Sequence, residues 1–166
     1  MVEKIVTGFN PGLMNETGFW DFEDAEATQS LAVKLVETMT KAPGIGLAAN
    51  QIGINKRVFA FLDLESPKPS PYVVFNPIIL GRSAEIIELE EGCLSFLDMI
   101  IKIKRPAQIK VEYQNMDGSL NTAMLGGLTS RIWQHEIDHL DGVLFFNRAS
   151  RWEREKAVKE WRKKYG

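Results

Sequence analysis

The 166 residues are enough for one domain with its own core and too few for two substantial ones, so residues 1–166 are expected to form a single domain. Apolar residues at 45% and charged residues at 25% are ordinary for a globular chain and exclude a disordered or fibrous one. A formal net charge of -2 gives no overall attraction to nucleic acid or an acidic bilayer, no stretch is long and apolar enough to span a membrane, and Met1 to Val6 lacks the layout of a secretory signal, so a cytoplasmic protein is expected.

From Ala25 to Lys41, Ala32, Leu35, Val36 and Met39 follow the spacing of one helix face, and Pro43-Gly44 ends the pattern. Arg57 to Leu64, Tyr72 to Leu80 and Ala84 to Glu90 are rich in Val, Ile and Phe and read as strands. Between the first two, Ser66 to Pro71 carries three prolines and predicts a surface loop that cannot sit inside a sheet. Ile109 to Tyr113 alternates apolar and polar residues, Asn115 to Gly118 supplies a turn, and Ser119 to Met124 returns, which predicts a hairpin. Helical spacing resumes from about Leu128 to Leu140. Ser150 followed by Glu153 is a capping box that predicts a C-terminal helix to about Lys164. Helices segregated from mostly antiparallel strands indicate an α+β fold around the Leu128–Leu140 helix, with an N-terminal amphipathic helix and a C-terminal helix.

That central helix carries the chemistry. His135 and His139, the only two histidines, stand one turn apart on one face, so both rings can reach one ion. Glu136 points about a quarter-turn away and is placed to take a proton from water at that ion. Two surface or satisfied core histidines are the bland alternative. Leu128 and Ile132 continue the same stripe, however, and turn the imidazoles inward, where unpaired polar groups are costly. A catalytic site of this kind needs a third protein ligand. Glu153, Glu155 and Glu160 lie downstream. The other candidate is Cys93, which as the single cysteine has no disulfide partner within the chain.

Two further blocks bear on the choice: Gly44-Ile45-Gly46-Leu47-Ala48-Ala49-Asn50-Gln51-Ile52-Gly53 and Glu91-Gly92-Cys93-Leu94-Ser95. With Gln134-His135-Glu136-Ile137-Asp138-His139 they resemble, in order, the three motifs of the peptide deformylase family; Asn76-Pro77 and Arg105 also look like family positions. The resemblance covers roughly Gly44 to Phe146. It implies an α+β enzyme that removes the formyl group from the N-terminal formyl-methionine of new polypeptides. It also implies that Cys93 completes a Cys-His-His site, and that Gln51 and the Leu94 N–H stabilise the oxyanion. The implied ion is ferrous iron, with zinc, nickel or cobalt as substitutes that the donor set also suits.

Gly44, Gly46 and Gly92 allow close backbone approach around a substrate groove, and Ile45, Leu128 and Ile132 are candidate walls of a methionine pocket. Arg131 fits either the pocket mouth or an ion pair. Phe96-Leu97-Asp98 departs from the family, which commonly has a proline there, and the first forty residues match the family pattern weakly. Arg148, Arg151, Arg154, Lys156, Lys159, Arg162, Lys163 and Lys164 make the C-terminal segment basic, and by resemblance it is a candidate ribosome contact. The alternative is a helix whose Val158, Trp161 and Tyr165 pack on the domain. A monomer is expected. An endopeptidase, which would keep its metal without Cys93, and a binding module for formylated N-termini, indifferent to Glu136, are the rival readings.

Overall fold

Asp24 accepts from the Ala27 N–H at 3.0 Å and starts α1, Ala25–Lys41, where the apolar spacing places it. The computed structural model describes residues 1–166, and its other strands and α-helices are β1 (Gly46–Ala48), β2 (Val58–Asp63), β3 (Ser70–Arg82), β4 (Ile86–Cys93), β5 (Phe96–Pro106), β6 (Ile109–Gln114), β7 (Leu120–Leu125), α2 (Gly127–Leu140) and α3 (Arg151–Tyr165). All strand pairings are antiparallel. One sheet runs β1-β2-β3-β6-β7, and β4 with β5 forms a second, two-stranded sheet. The fold is α+β with α2 at its centre.

Alternation explains the layers. On β5, Phe96, Met99, Ile101, Ile103 and Arg105 are buried while Lys102 and Lys104 face solvent. One apolar cluster joins Phe59, Val74 and Val111 of the five-stranded sheet to Ile132, Trp133 and Ile137 of α2. A second packs Leu31, Leu35 and Met39 of α1 on Val58, Ala60 and Phe75. The third lies under β5 and joins Phe96 and Ile103 to Leu13, Phe145 and Phe146, with Val158 and Trp161 of α3 against it. Every residue of α2 from Ser130 to Leu140 is therefore buried. No helix is long and apolar enough to cross a membrane.

Two readings of the sequence need correction. β3 begins at Ser70 and includes Pro71, opposite Leu62, so the predicted loop gives its last two residues to the sheet. β6 pairs with β3 only from Phe75 onward, so at Pro71 one side of the strand is open and a missing donor is tolerated. The capping box at Ser150 forms in altered shape. Ser150 Oγ accepts from the Glu153 N–H at 3.3 Å, but the Glu153 carboxylate accepts from the Ser150 hydroxyl at 2.8 Å instead of from its N–H.

Candidate metal centre

Cys93 ends β4, and the chain turns through Leu94 and Ser95 so that Phe96 pairs back with it. This tight turn holds the sulfur over α2, which presents His135 and His139. The donor atoms of the three side chains all lie within 4.8 Å of one another, with Cys93 Sγ 3.2 Å from His139 Nε2. His135 Nδ1 is 2.8 Å from Glu91 Oε1, which leaves its Nε2 for the shared centre. Burial raises the Cys93 thiol, but His139 and His135 outweigh it and bring it down to about 5. Burial lowers His135, but Cys93 and Glu91 outweigh that and lift it to about 10. Without an ion the trio thus holds a thiolate beside an imidazolium, and a divalent cation would take the proton's place. Glu153, Glu155 and Glu160 are on α3, outside this group.

Beneath the donors lies a buried ionic network. Glu91 accepts from Arg105 Nε at 2.7 Å and Nη2 at 3.0 Å, and from Arg131 Nη1 at 2.8 Å. Arg105 Nη1 also donates to Asp138 at 2.7 Å, and Asp138 accepts in turn from Arg148 at 2.8 Å. Burial alone would raise Glu91, but His135 and Arg105 hold it well below the ordinary carboxylate range. Arg131 also donates to the carbonyls of Ile103 and Ile87, so it fastens α2 to both strands of the second sheet while lining the cavity. Sequence reasoning named Arg105 but missed the parts played by Glu91 and Asp138. No local signal marks either acid: Ile87 and Leu89, which alternate with Glu91 on β4, are exposed, and the neighbours of Asp138 on its helix face are Arg131, Gln134 and His135.

Glu136 is buried and its Oε2 has no partner. Burial pushes this carboxyl above its usual range, against the opposing pull of His135 and His139. A Cβ at Gly46 would overlap Glu136 Oε1, so only glycine leaves room for the acid. Gln51 sits in the short 3-10 turn Ala49–Ile52. Its Oε1 accepts from the Ala48 N–H at 2.9 Å, and its Nε2 donates to Ser95 Oγ at 3.0 Å while lying 3.7 Å from Cys93 Sγ. The Leu94 N–H donates to no backbone carbonyl. A soft Cys-His-His donor set, with an orphaned acid in a cradle beside it, fits one catalytic divalent ion.

A cavity of about 360 Å³ opens from these groups. Gly44, Ile45, Gly46, Gly92, Leu128 and Ile132 all line it, and so do Leu89, Leu97 and Ile100, which the sequence reading did not name. The departure at Phe96-Leu97-Asp98 leaves the hairpin intact. Asp98 takes φ 63°, pairs with Lys164 at 2.5 Å and accepts from the Tyr165 hydroxyl, which ties the end of α3 to the cavity wall.

The chain is similar to known proteins along most of its length. The family described as polypeptide deformylase matches residues 2–155, so the match includes the first forty residues expected to be weak. Peptide deformylase of Agrobacterium fabrum is 41% identical over 155 residues, which cover 93% of this chain and 91% of that one. The crystal structure of peptide deformylase from Thermus thermophilus superposes with a TM-score of 0.90 at 38% identity, covering 98% of this chain and 95% of the other. A probable peptide deformylase from a Synechococcus phage gives 0.83 at 39% identity, with 88% and 99% covered.

Proposed function

The chain belongs to the polypeptide deformylase family, and from that premise we propose which of its residues release formate from formyl-methionine. It is a metal-dependent amide hydrolase acting on the N-terminal formyl group of nascent polypeptides. Cys93, His135 and His139 would hold the ion, ferrous iron in the native enzyme, with zinc, nickel or cobalt as substitutes. When bound, the ion supplies Lewis acidity that polarises the formyl carbonyl and makes water a nucleophile at neutral pH.

Glu136 takes the proton from the attacking water and passes it to the leaving amine; its raised pKa and unpartnered Oε2 suit both transfers. Gln51 Nε2 and the Leu94 N–H donate to the developing oxyanion, each such donor contributing about 3 kcal/mol. Ser95 and the Ala48 N–H hold the Gln51 amide in that orientation. Ile45, Leu128 and Ile132 form the pocket for the methionine side chain, and Gly44, Gly46 and Gly92 let the peptide backbone approach.

The observation that carries this assignment is the orphaned acid beside the three soft donors. Iron-loaded protein incubated without oxygen with formyl-Met-Ala-Ser is expected to release formate. No turnover with metal shown to be bound would overturn the reading. In air the iron form is expected to lose activity faster than a zinc form, because ferrous iron and thiolate are both oxidisable.

The enzyme is proposed to act as a cytoplasmic monomer. Its proposed partner is the ribosome, met through α3. Val158 and Trp161 pack inward, Arg148 is paired with Asp138, Arg151 with Glu155 and Lys164 with Asp98, so the outward unpaired charge reduces to Arg154, Lys156, Lys159, Arg162 and Lys163. Changing Arg154, Lys159 and Lys163 to Glu is expected to abolish salt-sensitive co-sedimentation with ribosomes and to leave formate release on free peptides unchanged. Undiminished co-sedimentation would remove the helix from that contact.

A further inference from the structure

Helix α2 lacks a side-chain cap of its own, because the residue before it is Gly126. Its first turn is held from outside. Glu65, on the loop between β2 and β3, accepts from the Leu128 N–H at 2.9 Å through Oε1 and from the Thr129 hydroxyl at 2.8 Å through Oε2. Gly127, at φ 55°, is shaped to admit this carboxylate, since a Cβ there would overlap Glu65 Oε1. The charge also lies at the positive end of the helix dipole. Leu128, whose N–H is pinned, turns its side chain into the catalytic cavity.

We propose that Glu65 is a positioning residue for substrate specificity: by capping α2 from the β2–β3 loop, it sets where Leu128 stands in the methionine pocket. The inference rests on the deformylase reading, which supplies the side chain to be recognised. Without Glu65 the Leu128 N–H loses its acceptor and the first turn frays, which widens the pocket. From Ser130 onward α2 is buried throughout, so His135, Glu136 and His139 keep their places. The effect should therefore fall on binding and discrimination rather than on the chemical step.

The test compares Glu65→Ala and Glu65→Gln in the metal-loaded enzyme. Glu65→Ala is expected to raise KM for formyl-Met-Ala-Ser about fivefold, the usual scale for a lost cap, with kcat within about twofold of wild type. The preference for formyl-Met-Ala-Ser over formyl-Ala-Ala-Ser should fall by a similar factor, and hydrogen exchange at the Leu128 amide should accelerate. Glu65→Gln keeps an amide oxygen for the Leu128 N–H and should restore most of KM and of the preference. The proposal is overturned if exchange accelerates in Glu65→Ala while KM and preference stay put. Equal loss of kcat on both substrates would overturn it too. Failure of the enzyme reading shows separately, as absence of formate from wild type. Calorimetric affinities of wild type and Glu65→Ala for formyl-Met-Ala-Ser then decide the role of Glu65, weaker binding by Glu65→Ala supporting it and equal binding overturning it.

Discussion

Glu136→Gln is expected to lower kcat about a thousandfold, the middle of the range for a lost proton-transfer group. The amide keeps the size and much of the polarity of the acid, so it should occupy the cradle under Gly46 without displacing the chain. It cannot accept and return a proton. None of the three donors is altered, so metal content measured on the purified variant should stay at one ion per chain, and KM should change little. A variant with kcat within about tenfold of wild type would place the proton transfers elsewhere. Loss of metal together with activity would mean that Glu136 helps hold the ion.

The second large effect is structural and chemical at once. Glu91→Ala removes the one carboxylate shared by Arg105, Arg131 and His135. Arg105 keeps Asp138, but Arg131 is left in the interior with carbonyls alone. Breaking a buried pair on one side destabilises by about 3–5 kcal/mol, which denaturant titration of the metal-free protein measures. The His135 ring also loses the acceptor that fixes its orientation, so metal affinity, read by competition with a chelator, should fall about 10- to 100-fold. Glu91→Gln separates the two. Its amide oxygen can still accept from His135 Nδ1, so affinity should largely recover, whereas the uncompensated arginine charge should keep stability low. Unchanged stability and affinity in Glu91→Ala would sink the account of this network.

Where an element owes its form to nearby residues, the sequence was informative. The apolar stripe and Pro43-Gly44 orient and end α1, and the i, i+4 histidines place themselves on one face of α2. β5 shows the opposite case. Its Ile101 and Ile103 alternate with Lys102 and Lys104, but the exposed apolar Leu97 and Ile100 blur the period at its start, so no strand is predicted there. β1 is too short to have a period and is a strand only because Phe59, Ala60 and Phe61 of β2 lie opposite it. Within the site, the donors were legible as residue types and spacing, with resemblance needed to select Cys93 over the downstream glutamates. Glu91, Asp138 and Glu65 were not legible as supports. Their partners are distant in sequence, and no local pattern announces an ion pair or a cap made across the fold.

The two sheets share no paired strand, and this has a consequence for how the molecule is held together. Cys93 belongs to the hairpin of β4 and β5, whereas His135 and His139 belong to the helix packed on the larger sheet. Any ion they share therefore bridges a seam between two separately hydrogen-bonded halves, alongside the arginine clasp of Arg105 and Arg131. An ion held there would thus act as a rivet as well as a catalyst, and a chelator would be expected to loosen the hairpin before it unfolds the rest.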